Sequence, residues 1–136
     1  MVQRMTVPGL FPPPDYAHLA VVEASERLVF TAGGVPLDAD GVLVGPGDPI
    51  AQTRQVLANL AAALRAGGTD LGQVVASTVY VVATTPAELA AVWEVVSASE
   101  LATGPAGQHT STLLGVSCLG YTGQLVEITV VAALPT

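Results

Sequence analysis

A run of four polar side chains stands directly before an apolar segment: His109, Thr110, Ser111 and Thr112, in GQHTSTLLGVSCLG (residues 107–120). A serine can act as a nucleophile when a histidine removes its proton. The G-x-S-x-G turn that exposes such a serine is missing here, and a loop does not fix His109 toward Ser111. The pattern therefore favours hydroxyls at the rim of a binding site over covalent catalysis. We expect His109 to be a solvated loop residue, and a role as proton donor or ligand contact is the alternative.

Glu127 is the last acidic residue of the chain and interrupts the apolar run LVEITVV, residues 125–131. A lone acid in a strand is commonly a solvent-facing residue of the alternating pattern. In a cleft, the same carboxylate could act as a general acid or base. The pattern alone leaves both interpretations open.

The other residues with reactive or metal-binding side chains are isolated. His18, His109 and the single cysteine, Cys118, show no spacing typical of metal ligands. No cation lies near Cys118 in the sequence, so we expect it to be a small buried hydrophobic residue rather than a reactive thiol. The glycine clusters lack phosphate-loop spacing. We therefore predict no metal site and no cofactor.

Two helices that position these residues carry clear sequence signals. The first begins at Asp48 and Pro49, a cap and a first-turn proline, and its apolar residues recur up to Gly67 and Gly68. The second begins with a capping box from Thr85 to Glu88. Its apolar face includes Trp93, which we expect in the core or an interface.

Runs of apolar and β-branched residues predict the strands. Two short strands flank the polar turn Glu23–Arg27, and three longer ones cover residues 72–83, roughly Ser111–Cys118, and Leu125–Ala133. Residues 72–83 are apolar on both faces, which is typical of a central strand. Together the elements predict an α+β fold: one mixed β-sheet with two helices on one face. The other sheet face is too apolar to stay in water, so we expect it to meet another subunit.

Length and composition limit the class of protein. The length predicts a single domain over residues 1–136. Of these residues, 51% are hydrophobic, and a small domain can bury only part of that apolar surface in its core. No run of 18 or more apolar residues and no signal-peptide pattern is present, so we expect a cytoplasmic protein with no membrane partner. The net charge is −7, with four arginines and no lysine. A chain with this charge lacks the basic surface that binds phosphate backbones, so we do not expect nucleic acid as a partner.

Three segments give the chain a resemblance to a known family: VFTAGGVPLDADGVLVG, AQTRQVLANLAAALRAGGTDLGQVVASTVYVV and STLLGVSCLGYTGQLVEITVVAAL. The chain resembles, over residues 16–133, the Rid/YjgF family of enamine/imine deaminases, whose members are often labelled endoribonuclease-like. The resemblance implies a chorismate-mutase-like α+β fold, assembled as a homotrimer with small-molecule clefts between subunits.

The same resemblance implies a set of site residues. In deaminating members an arginine clamps the substrate carboxylate, and a glutamate positions the water that attacks the imine carbon. A tyrosine, a serine and a cysteine line the same cleft. The tyrosine matches Tyr16 and the glutamate matches Glu127, whereas the arginine position holds Ser111, the cysteine position Leu113 and the serine position Ala32.

The missing arginine changes the expected substrate. A guanidinium binds a carboxylate through two charge-assisted hydrogen bonds, which one serine hydroxyl cannot replace. We therefore expect a divergent enzyme that hydrolyses or tautomerises an imine, an enamine or a related carbonyl compound, and not the usual 2-imino acid. The alternative is a trimeric ligand-binding or regulatory protein without catalysis.

The charge generates the first prediction: RNA binding is negligible. In filter binding at low salt, single- and double-stranded RNA should bind no more tightly than the weak non-specific range, with a Kd of about micromolar or above. Tighter binding that weakens steeply with added salt would show that the negative net charge hides a phosphate-binding surface.

Overall fold

The computed structural model describes residues 1–135. These residues form six strands and three helices, in the order β1 (Val2–Met5), β2 (Leu19–Val22), β3 (Arg27–Phe30), α1 (Pro49–Ala66), β4 (Val74–Val82), α2 (Pro86–Ala98), α3 (Glu100–Thr103), β5 (Thr110–Val116) and β6 (Val126–Leu134), with a 3₁₀ turn at Leu71–Gln73.

The main sheet has four strands in the order β3-β6-β4-β5. β4 runs parallel to β5, whereas β6 runs antiparallel to both β3 and β4. This is a mixed sheet with β4 in its interior, as the apolar run in the sequence predicted. The parallel pair needs a crossover connection, which α2 and α3 supply.

Both long helices begin as their sequences predicted. The Asp48 side chain accepts hydrogen bonds from the backbone N–H groups of Ile50 and Ala51, at 3.1 and 3.0 Å, and satisfies donors that the first turn leaves free. At α2, the Thr85 hydroxyl accepts from the Glu88 N–H, and the Glu88 carboxylate accepts from the Thr84 N–H. The two caps fix where each helix starts relative to the sheet.

The helices cover one face of the sheet. Alternate residues of β6 point toward them and are buried, whereas the residues between are half-buried. The core contains branched side chains from α1, α2, β4 and β6, including Val56, Leu60, Leu64, Val79, Val81, Val92, Val96, Val126, Ile128 and Val130. The prediction of two helices on one sheet face is confirmed.

The opposite face of the sheet, called here the open face, is not covered by any helix of residues 1–135. Phe30 is 73% exposed there and pairs with Val131 across β3 and β6. Leu114, Tyr80 and Glu127 stand side by side on this face, on β5, β4 and β6. Leu114 is 43% exposed. The open face therefore presents aromatic and aliphatic side chains around one carboxylate.

The structure adds elements that the sequence patterns did not predict. Val2–Met5 form β1, which pairs with β2, so the two short strands around Glu23–Arg27 belong to different sheets. The short helix α3 follows α2 directly. β5 ends at Val116, and Cys118 lies exposed in the loop beyond it, so the expected burial of this cysteine is wrong. Within residues 1–135, none of the helices is long and apolar enough to cross a membrane.

Candidate functional site

A pocket of about 380 Å³ opens where the N-terminal segment meets β5 and α2. Its lining consists of Pro14, Tyr16, Trp93, Ser111, Thr112 and Leu113. The Ala17 N–H donates to the His109 carbonyl at 2.8 Å and a bridge joins Ala17 to Thr110, so Tyr16 is held beside the start of β5. None of the lining residues is charged. We call this the Tyr16 pocket.

Two aromatic rings form one wall of the Tyr16 pocket. Tyr16 and Trp93 meet edge to face, with ring centroids 6.1 Å apart and an interplanar angle of 80°. The Trp93 indole Nε1–H donates to the Pro14 carbonyl at 3.1 Å, so its polar atom is already satisfied. The wall thus offers apolar ring surface to a ligand, a favourable partner for a flat group.

Three polar side chains, joined by hydrogen bonds, lead from the interior to this pocket. Ser111 Oγ lies 2.7 Å from Ser77 Oγ, and Ser77 Oγ lies 2.8 Å from His109 Nε2. The parallel register of β4 and β5 places Ser77 directly beside Ser111. Ser77 is 5% exposed and His109 is fully buried, whereas Ser111 reaches the pocket.

Burial governs the charge state of His109. The loss of hydration, followed by the nearby positive charge of Arg4, lowers the pKa of His109 from 6.5 to about 4. The nearby Leu101 backbone raises the pKa, but this effect is the smallest of the three. Within residues 1–135, Nδ1 has no hydrogen-bond partner. The ring is therefore neutral at physiological pH.

The expectation that His109 is a solvated loop residue is wrong. The ring is fully buried, and Arg4 of β1 lies near enough for its charge to act on the ring. Arg4 is held by hydrogen bonds to the carbonyls of Ala106 and Val74. Sequence reasoning also missed Ser77. The available signal was a serine that alternates with Val79 and Val81, on a strand face that otherwise enters the core.

Glu127 lies in a second group of residues, on the open face. Its Oε1 accepts a hydrogen bond from Gln124 Nε2 at 3.2 Å. Gln124 is itself buried. Its amide is fixed, because Nε2 also donates to the Val126 carbonyl and Oε1 accepts from the Tyr121 N–H. The carboxylate of Glu127 is thus held by a fixed amide.

The Glu127 side chain crosses to the edge of the sheet at Gly33. A Cβ at residue 33 would lie 2.5 Å from Glu127 Oε2 and 2.9 Å from its Cγ, so any larger residue there would displace the Glu127 side chain. The neighbouring Ala32 is exposed and lines a cavity of about 400 Å³ together with Phe30, Gly33 and Asn59. Ala32, Gly33 and Glu127 therefore share one location, called here the Glu127 edge.

The predicted site residues thus fall into two sets. Tyr16, Ser111 and Leu113 line the Tyr16 pocket, with His109 behind it, whereas Ala32 and Glu127 belong to the Glu127 edge. Ser111 shares a sheet face with Ser77, which is the helix-covered face, and Glu127 projects from the opposite one. β4 also separates their strands. One chain therefore does not bring Ser111 and Glu127 together.

One other cavity is less suited to chemistry, and the side chains of residues 1–135 offer no metal site. A larger depression, about 800 Å³, lies between α1 and α2, but its lining is mainly aliphatic, with Arg54 and Glu94 as its charged members. Its one hydroxyl, Ser99, donates to the Val96 carbonyl. In the described part of the chain, no three His, Cys, Asp or Glu residues cluster as metal ligands would.

Comparison with known proteins places this geometry in context. The sequence profile of the family described as Endoribonuclease L-PSP matches residues 12–134. The Rid-family protein YyfB of Yersinia pestis, described as of unknown function, is 33% identical, with a TM-score of 0.87 and 98% of both chains covered. YyfA of the same organism is 27% identical, with a TM-score of 0.66 over 98% of this chain and 100% of YyfA. Protein DfrA of Myxococcus xanthus is 35% identical over 65 residues, which span 48% of this chain and 49% of DfrA.

The buried imidazole generates a prediction about stability and pH. Below pH 6.5 the unfolded chain binds a proton at His109, whereas the folded chain does so only near pH 4. The free energy of unfolding should therefore fall as the pH drops through this window, by about 2 kcal/mol between pH 7.5 and pH 5. Urea titrations at one protein concentration should show this loss in the wild type and a correspondingly smaller loss in His109→Gln. Equal losses in both proteins would contradict a neutral, buried His109.

Proposed function

Because the chain belongs to the endoribonuclease L-PSP family, known also as the Rid/YjgF family, we propose that it is a small-molecule enzyme. Its reaction is the hydrolysis or tautomerisation of an uncharged imine, enamine or related carbonyl compound. The observation that carries this proposal is the Tyr16 pocket, in which a hydroxyl stands where deaminating relatives have an arginine and none of the lining side chains is charged. A carboxylate would find no counter-charge there, whereas a neutral group loses little hydration on entry.

The proposed active site is a cleft between subunits, which joins the Tyr16 pocket of one protomer to the Glu127 edge of the next. This assembly is supported by the separation of Ser111 and Glu127 within one chain, because either set alone lacks part of the machinery. The open face supports it as well, since Phe30, Leu28 and Leu114 are large apolar residues exposed at 39% or more. Covering such a face stabilises an oligomer through the hydrophobic effect.

In this arrangement Glu127 positions a water molecule against the imine carbon. Gln124 holds one carboxylate oxygen, and the other remains available to accept a proton from the water. The water oxygen bonds to carbon, the imine nitrogen takes a proton, and the resulting carbinolamine loses its amine to leave a carbonyl. Tyr16 and Trp93 hold the flat substrate during these steps.

The second candidate is a trimeric binding or regulatory protein without catalysis. The loss of the arginine favours this candidate, because orientation of the substrate accounts for much of an enzyme's rate and one hydroxyl orients less than a guanidinium does. A ribonuclease activity, which the family name suggests, is disfavoured by the net charge of −7 and the absence of lysine.

The proposed assembly predicts a homotrimer in solution. Sedimentation equilibrium at micromolar concentration should give three times the chain mass of 13.7 kDa. Phe30→Glu should weaken the trimer, because it places a charge in the covered face. Leu10→Glu, at another exposed apolar position away from the sheet, is the matched control and should leave the mass unchanged. A monomeric wild type would remove the basis for a shared cleft.

A second prediction separates the two candidate functions. The wild type should accelerate hydrolysis of neutral imines, measured as release of amine from a panel of N-alkyl imines of small ketones. Glu127→Gln should lose this activity by roughly 10²-fold or more, because the amide cannot accept the proton from water. Trimeric wild type that quenches or shifts Trp93 fluorescence with the same imines, but never hydrolyses them, would favour the binding protein.

A further inference from the structure

A hydrogen-bonded series of side chains that does not include Glu127 reaches the Tyr16 pocket at Ser111. The distances of 2.7 Å and 2.8 Å along Ser111, Ser77 and His109 are those of hydrogen bonds between hydroxyls and from a hydroxyl to a ring nitrogen. Each hydroxyl both donates and accepts, so all the hydrogen bonds in such a chain must point the same way. The direction is set by the histidine, because a neutral imidazole has one donor and one acceptor nitrogen.

A relay that runs toward His109 requires one tautomer of the ring. Ser77 occupies Nε2, and Nδ1 is buried without a hydrogen-bond partner within residues 1–135. With its proton on Nδ1, the ring accepts from the Ser77 hydroxyl through Nε2, and Ser77 in turn accepts from Ser111. The lone pairs of Ser111 Oγ are then directed into the pocket.

From this geometry we propose that Ser111, Ser77 and His109 form a proton relay. Ser111 removes a proton from the bound substrate and passes its own hydroxyl proton to Ser77. Ser77 in turn passes its hydroxyl proton to His109. Ser111 is the catalytic residue, because it contacts the substrate, and Ser77 and His109 act through it. The proposal rests on the proposed function, since it assigns the tautomerisation of an imine to the Tyr16 pocket.

The proton balance of the relay is complete. A C–H bond beside the imine carbon breaks, its electrons form a C=C bond, and the C=N electrons move to nitrogen, which takes a proton from water. The hydroxide ion that remains takes this proton back when the enamine returns to the imine. Ser111 and Ser77 are each left with one proton, and His109 becomes an imidazolium. The reverse transfers restore the neutral ring when the enamine is protonated on carbon.

Burial makes the relay suitable for this task. A solvated histidine would be partly protonated near pH 6.5, but His109 is fully buried beside the charge of Arg4 and stays in its proton-accepting form at neutral pH. Its low basicity is comparable with that of an ordinary carboxylate, which is a common general base in enzymes. The same Arg4 charge favours rapid return of the proton to the product.

The direction of the relay can be measured without a substrate. The chain has two histidines, so ¹⁵N spectra of histidine-labelled protein contain two ring systems, and His18→Asn assigns them. We expect the His109 ring to be neutral at pH 7 with its proton on Nδ1. A proton on Nε2 would overturn the proposal, because Ser111 would then donate into the pocket and could not accept.

The activity of the relay can be tested with 2-methyl-1-pyrroline, a cyclic neutral imine. In D₂O its methyl protons exchange through the enamine, and proton NMR follows their loss. We expect the wild type to accelerate exchange over buffer, and Ser111→Ala and Ser77→Ala to lower that acceleration by roughly 10²-fold. Ser77→Thr restores a hydroxyl at residue 77 and should retain most of the rate, and Ser117→Ala, on the exposed loop after β5, should behave as the wild type.

The outcomes separate the relay from the proposed function. If Ser77→Ala and Ser77→Thr both retain native trimers and exchange the probe equally fast, the relay is excluded. If the wild type does not exchange the probe but hydrolyses imines in a Glu127-dependent way, the relay fails and the proposed function stands. If exchange requires Ser77 while hydrolysis is absent, the relay stands and Glu127 is not part of a hydrolytic site.

Discussion

The parallel pairing of β4 with β5 is the constraint on which both the fold and the Tyr16 pocket depend. Parallel neighbours cannot be joined by a tight turn, so the chain must cross the sheet and return, and α2 is that crossover. The crossover places Trp93 above the start of β5, where the N-terminal segment brings Tyr16. The same register sets Ser77 beside Ser111. An antiparallel β5 would lose the aromatic wall and the hydroxyl pair together.

A sheet with one helix-covered face and one open face divides the polar residues into two chemical environments. On the covered face, His109 and Ser77 are removed from water, so each must find its partner inside the protein. On the open face, Glu127 stays half-buried and is held by Gln124 at the sheet edge. Ser77 and His109 thus lie in the dry interior, whereas the Glu127 carboxylate lies nearer the surface. The carboxylate, which would cost the most to bury, is therefore the group that lies nearest to water.

The sequence predicted the parts of the fold that local chemistry determines. Asp48 and the Thr85–Glu88 box cap their helices as expected, and the apolar run of β4 is the interior strand. What it did not predict depends on contacts distant in the chain. β1 forms because it pairs with β2, and this pairing brings Arg4 near the buried His109, which lies more than 100 residues later in the chain. The role of Ser77 becomes visible only once the strand register is known, because its alternation with Val79 and Val81 indicates which strand face it occupies but not that Ser111 is its neighbour.

The position of the positive charge distinguishes this site from one that binds an acid. A guanidinium at residue 111 would meet a substrate carboxylate directly, whereas here the cation nearest to the pocket chemistry is Arg4, behind His109. Its N–H groups donate to the carbonyls of Ala106 and Val74, so its charge acts on the imidazole through space and is not offered to a ligand. A cation in that place lowers the affinity of the ring for a proton and leaves the pocket wall uncharged. Arg4 thus acts from the interior, where it keeps His109 neutral and leaves the wall of the Tyr16 pocket without charge.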